Sequence, residues 1–180
     1  MGESDIPGRP SACGFPRVIA SIRRMSPTLT ILVVEDDEND FHFINSALRK
    51  SPVRLRVHWA KDGAEAREYL AGEGEFTDRR FFPLPDVVVL DLKMPRFNGF
   101  DLIRWVRGQS EHACLPLLVL SSSDYVADIE NAYALGATTY FVKPMEIEEF
   151  TALFRAIAEY WSRGVSAVRH LRCSKAPTAI

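Results

Sequence analysis

Five residues carry the chemistry that this chain could perform, and each stands at the end of an apolar run. Glu35 and Asp36 follow residues 30–34 (TILVV), and Asp91 follows 86–90 (DVVVL). Ser121 opens a run of three serines after 115–120, and Lys143 follows 138–142. If these runs are neighbouring parallel strands, topology gathers three carboxylates, a hydroxyl cluster and one lysine at a single rim. Two carboxylates ~5 Å apart repel by roughly 3 kcal/mol at an effective dielectric of 20, so such a rim calls for a cation. An oxygen-only ligand set, without His or Cys, selects Mg²⁺ over Zn²⁺. Lysine is a compact cation suited to a phosphoryl oxygen. Three carboxylates, one divalent ion and one ammonium sum to zero charge. That balance can absorb a phosphoryl group placed on a carboxylate, with Ser121 donating a hydrogen bond to it.

The elements that must position these groups are visible in the hydrophobic periodicity. Continuous β-branched and aliphatic runs, as at 30–34 and 86–90, are the mark of strands buried on both faces. Strands are expected at 30–34, 53–59, 86–90, 115–120 and 138–142, and helices between and after them. The first helix carries Phe41, Ile44 and Leu48 on one side, with acids in its first turn, Arg49 and Lys50 in its last, and Asp37 as its cap. The others are expected at 62–70, capped by Asp62, at 98–107, and at 124–135, closed by Gly136. The last follows a 3.6 period from Ile147 to Trp161. Residues 71–85, with two Gly and two Pro, read as a long loop. Strand–helix alternation repeated five times implies an α/β fold with a parallel sheet covered on both faces. Ligands in such sheets bind at the C-terminal ends of the strands.

Composition excludes several classes. The 180 residues are 47% hydrophobic and 26% charged, the balance of a globular domain. No apolar stretch approaches the ~18 residues that a membrane span needs. Three widely spaced cysteines make no disulfide framework or zinc knuckle and favour a reducing compartment. The first 28 residues carry four Arg against two acids, and the last 17 carry three cations and no acid. The total of −2 therefore leaves the middle of the chain at −7, a poor nucleic-acid binder. Residues 1–28, rich in Gly and Pro and without a signal-peptide pattern, are expected to be a disordered extension; Met25 could be the natural start. Residues 29–163 form the expected domain, and 164–180 a basic tail.

The matching segments, in order, are ILVVEDD (31–37), VVLDLKMP (88–95), Asn98-Gly99, LLVLS (117–121), and Gly136-Ala137 running to YFVKP (140–144). Together they resemble the receiver domain of two-component response regulators. The long 72–85 loop is more like stand-alone receivers, without an output domain, that accompany bacteriophytochrome-type kinases.

The resemblance implies a flavodoxin-like (βα)5 fold with strand order 2-1-3-4-5. It implies that Asp91 is the phosphorylated aspartate and that Asp36, Glu35, Asp91 and the backbone carbonyl of Lys93 hold Mg²⁺. Ser121 and Lys143 would bind the phosphoryl group, Tyr140 would be the aromatic that turns inward on activation, and the bond before Pro144 would be cis. The implied partners are a histidine kinase or a histidine phosphotransfer protein, and an unidentified downstream protein. The output face would lie over the last two helices and the fifth strand, with Tyr125, Tyr133, Thr139 and Trp161 as its candidates and a second copy of the chain as one occupant. The expected setting is the cytoplasm, with no membrane or nucleic-acid partner and no turnover of external substrates.

Three other readings stand beside this one. A Mg²⁺-dependent small-molecule phosphatase would carry a second Asp two residues after the nucleophile, where this chain has Lys93. A phosphorylation-independent pseudo-receiver would lack part of the constellation. A DNA-binding regulator would need more than the 17 residues after Arg163. His42, His58, His112, Trp59 and Trp105 are read as packing or surface residues.

Overall fold

Residues 28–95 and 97–168 are described by the computed structural model. They alternate β1 (Leu29–Val34), α1 (Glu38–Arg49), β2 (Leu55–Ala60), α2 (Gly63–Ala71), β3 (Val87–Leu90), α3 (Gly99–Gly108), β4 (Leu117–Ser121), α4 (Val126–Ala134), β5 (Thr139–Val142) and α5 (Ile147–Val168). The strands form one parallel sheet in the order β2-β1-β3-β4-β5, the flavodoxin-like arrangement that the family resemblance implies.

Side chains that alternate along each strand split the core into two layers. Leu32, Val34, Val88, Leu90, Leu117 and Val119 face α2, α3 and α4, against Leu70, Leu102, Ile103 and Val106. Ile31, Val33, Val87, Val89, Leu118 and Leu120 face α1 and α5, against Ile44, Leu48, Phe154 and Ile157. β1, β3 and β4 are buried along their whole length, which explains their unbroken apolar runs. β2 is an edge strand with mixed exposure. It starts at Leu55, two residues later than its pattern suggests, because Leu29 pairs with Leu55 at the start of the shared register.

Other boundaries shift for local reasons. Pro116 has no N–H to give the ladder, so β4 begins at Leu117. α4 starts after Tyr125 without a side-chain cap, leaving Asp124 outside it. The 72–86 segment contains a 3₁₀ turn at Gly74–Thr77. Arg79 holds it down, donating to the carbonyls of Tyr69, Leu70 and Phe82 at 2.7, 2.7 and 3.2 Å. The Tyr69 hydroxyl donates to the Pro83 carbonyl at 2.8 Å. Asp37 and Asp62 cap α1 and α2 as expected, and Asn98, expected as the first residue of its helix, instead caps α3 from just outside it. α5 runs to Val168, past the boundary expected at Arg163. The expected N-terminal extension lies outside the described residues except for Thr28, as does the expected basic tail from residue 169 onward.

Candidate functional site

Register brings the rim together. Val34 lies opposite Leu90, so the residues that follow, Glu35 and Asp91, leave adjacent strands side by side. The Asp91 amide donates to the Val34 carbonyl at 3.0 Å, and the Glu35 amide to the Ala60 carbonyl at 3.0 Å. On the far side, Ser121 pairs with Val142, and the Lys143 amide donates to the Ser121 carbonyl at 2.8 Å. The sheet thus delivers all four groups to one edge.

The loop after Asp91 is kept tight by α3. The Gly99 amide donates to the Leu92 carbonyl at 3.2 Å. A Cβ on Gly99 would run into the Asp91 carbonyl oxygen and the Leu92 Cα, so only glycine lets the helix N-terminus approach this closely. Two backbone amides, of Leu92 and Lys93, donate to Asp91 Oδ1 at 2.6 and 3.3 Å. The Asp91 carboxylate is buried and its orientation is fixed.

Lys143 reaches across the sheet edge. Its Nζ donates to Glu35 Oε2 at 2.9 Å, Asp40 Oδ2 at 2.7 Å and Asp91 Oδ2 at 3.2 Å. One carboxylate oxygen each from Glu35, Asp36 and Asp91 also lies within 4.8 Å of the other two, a group able to hold a metal ion. Glu35 is 2% exposed, and Asp36 is open to solvent. The set fits a hard divalent cation: three anionic oxygens, one reachable from water, and a buried carboxyl that needs positive charge beside it. Burial pushes the Glu35 carboxyl up to about 7, against the pull of Lys143. Despite its own burial, the Lys143 ammonium is held above its ordinary range by Asp40, Glu35 and Asp91.

The remaining expected residues fall nearby. Ser121 is fully buried, and its hydroxyl accepts from the Ser123 amide at 3.4 Å. The Tyr140 hydroxyl donates to the Ser123 carbonyl at 2.8 Å, which draws this half-buried ring toward the loop after β4. Burial raises its phenol. Lys93 is exposed, with its ammonium 6.0 Å from the centre of the Tyr125 ring. Tyr125 and Tyr133 are exposed, at 69% and 47%. Trp161 instead packs against the layer shared by α1 and α5 and does not belong to their face.

One expectation is corrected. The Lys143–Pro144 bond is not cis, since no described peptide bond is. It takes the trans form that X–Pro bonds favour by ~0.5–1 kcal/mol.

Two neighbours escape a reading of the sequence. Asp40 stands in the first turn of α1 and touches Lys143, although 103 residues separate them. Its only signal is that it is an acid four residues after Asp36, at the start of the helix. Trp59, read as packing, donates from Nε1 to the Glu35 carbonyl at 2.8 Å and stacks on Phe41 with ring centres 4.4 Å apart. It ties the end of β2 to the acidic loop.

Known proteins resemble the chain over the same span. It is 29% identical to a probable methanogenesis regulatory protein, FilR2, of Methanothrix harundinacea, over 73% of this chain and 82% of the relative. The crystal structure of the phosphorylated cyanobacterial phytochrome response regulator RcpA matches with a TM-score of 0.70 and 30% identity, covering 75% of this chain and 94% of that one. The response regulator RPA3017, of red-light signalling in R. palustris, matches with a TM-score of 0.70 and 28% identity, covering 84% and 99%. A model of the response regulator receiver domain matches residues 31–155, and the chain belongs to that family.

Proposed function

We propose that the chain is a phosphorylation switch: Asp91 accepts a phosphoryl group from the phosphohistidine of a kinase or phosphotransfer protein, and the modified domain changes its partner binding. The observation that carries this reading is the Lys143 ammonium bridging Glu35 and Asp91 at the rim. The relative RcpA, itself described as phosphorylated, supports it.

The residues divide the work. Asp91 Oδ1 is occupied by two amides, which leaves Oδ2 to attack phosphorus. The P–N bond breaks as the P–O bond forms, and its electron pair returns to the imidazole. Lys143 faces Oδ2 and would pair with the incoming oxygens. Ser121, joined to Lys143 through the backbone, would donate to the same group. Glu35, Asp36 and Asp91, with the Lys93 carbonyl, would hold Mg²⁺, which supplies charge neutralisation. New bonds at Ser121 and Lys143 would draw in the loop after β4, where Tyr140 is anchored, and shift an existing equilibrium. The output surface is then α4, β5 and the start of α5, where Tyr125, Val126, Tyr133, Met145 and Ile147 are exposed. The domain is a cytoplasmic switch and not a turnover enzyme. Among the described residues, no helix is long and apolar enough to cross a membrane.

Intact-mass analysis after incubation with acetyl phosphate and Mg²⁺ tests the reading. A phosphoryl adduct is expected on the wild type and not on Asp91→Asn or in excess chelator. Equal adducts on both proteins would refute the site.

A further inference from the structure

We propose that Asp40 is the holding site for the Lys143 ammonium while a divalent cation occupies Glu35, Asp36 and Asp91. This positioning role rests on the metal-dependent reading above. It starts from a conflict: the ammonium sits on two of the three carboxylates that a divalent ion would need, Glu35 and Asp91. Two cations drawn to the same two carboxylates repel each other, so the ion binds best when the ammonium gives way.

Asp40 supplies the place to go. It makes the shortest of the three Lys143 contacts, at 2.7 Å. It lies outside the group of carboxylates close enough to share one ion. Its side chain is 41% exposed, against 2% for Glu35. An ammonium that lets go of Glu35 and Asp91 but keeps Asp40 stays neutralised, near the rim and partly hydrated. It is then poised for a phosphoryl oxygen without competing for the metal ligands. Asp40 is rigidly placed for this, since its amide belongs to the capped first turn of α1 and is bonded to Asp37 Oδ1.

Calorimetric titration with Mg²⁺ at near-physiological salt, which screens the long-range charge of an exposed acid, tests the proposal. Wild type, Asp40→Asn, Asp40→Glu, Lys143→Met and the Asp40→Asn/Lys143→Met double variant are compared. Asp40→Asn should weaken Mg²⁺ binding about 5- to 10-fold, because Lys143 then has only the metal ligands to pair with, and Asp40→Glu should restore most of the affinity. In the Lys143→Met background, Asp40→Asn should change affinity less than about 2-fold. Equal weakening in both backgrounds, or none in either, overturns the holding role. A wild type that binds no Mg²⁺ would sink the metal-dependent reading together with this one. Should Lys143→Met fail to fold, the wild-type structure with Mg²⁺ decides: Lys143 Nζ on Asp40 and away from Glu35 is expected, and Nζ still on Glu35 overturns the proposal.

Discussion

Two partly buried cations in this molecule do opposite jobs. Arg79 ends on the neutral carbonyls of Tyr69, Leu70 and Phe82. Lys143 ends on the carboxylates of Glu35, Asp40 and Asp91. The arginine satisfies the C-terminal carbonyls of α2 and fixes the 72–86 segment, a task that needs a planar fork and never changes. The lysine is a counter-charge among excess anions, the setting in which the proposed divalent ion would displace it. A buried cation on carbonyls is a staple, whereas one on surplus carboxylates marks a place where charge is exchanged.

The largest effect should come from removing the exchangeable cation. Lys143→Met leaves Glu35 and Asp91 buried without a counterion and should cost about 3–5 kcal/mol of unfolding free energy at pH 8 in chelator. Mg²⁺ at about 100 times its Kd should restore about 2.7 kcal/mol by binding only the folded state. Urea unfolding with and without Mg²⁺ reads both numbers, and a variant whose own stability Mg²⁺ does not raise would erase the distinction between the two cations.

The pH dependence of the same rim is next. Because burial raises the Glu35 carboxyl from 4.5 to about 7, the folded state binds this proton more tightly than the unfolded chain. Stability without divalent ions should therefore fall as pH rises from 4.5 through 7, by about 3 kcal/mol in all. Glu35→Gln should flatten that slope, and Mg²⁺ binding should strengthen over the same interval as the carboxyl ionises. A slope unchanged in Glu35→Gln would reassign the effect.

Arg79→Ala should cost less, about 2 kcal/mol, for the carbonyls it strands. Its Mg²⁺ affinity should equal that of the wild type, and a changed affinity would mean that the loop and the rim are coupled. The smallest effect belongs to the same region. His58 lies between Tyr69 and Phe82, with Nε2 buried and without a partner, and burial lowers its pKa. Its contribution is complete above the unfolded value near 6.5 and should fade as pH falls below it. His58→Phe should remove that acid-side decline in thermal melts.

The two regions also differ in how far the sequence reveals them. The central strands of the rim, β1, β3 and β4, are legible because parallel strands buried on both faces must be apolar, and β5, at the edge, is legible from its β-branched and aromatic run. The residues at or just past their ends, Glu35, Asp36, Asp91, Ser121 and Lys143, then share an edge by topology. Asp40 was not legible, since a helix N-terminus is acidic for its own reasons and the contact spans 103 residues. Nor was the hydrogen bond from Trp59 to Glu35, made by a side chain whose apolar body equally suits packing. Arg79 gave no signal either, as its partners are backbone carbonyls that have no letter in the sequence. The trans bond before Pro144 differs from the expected isomer because that expectation came from family resemblance, while the local preference is for trans.

In the proposed switch Asp91 itself becomes the acyl phosphate. Borohydride reduction of the phosphorylated protein, followed by peptide sequencing by mass spectrometry, tests it directly, because an aspartyl phosphate is reduced to homoserine and a free carboxylate is not. Homoserine is expected at position 91 only after treatment with phosphodonor and Mg²⁺. Homoserine at another acid, or an unchanged Asp91 in protein that carries the adduct, would contradict it.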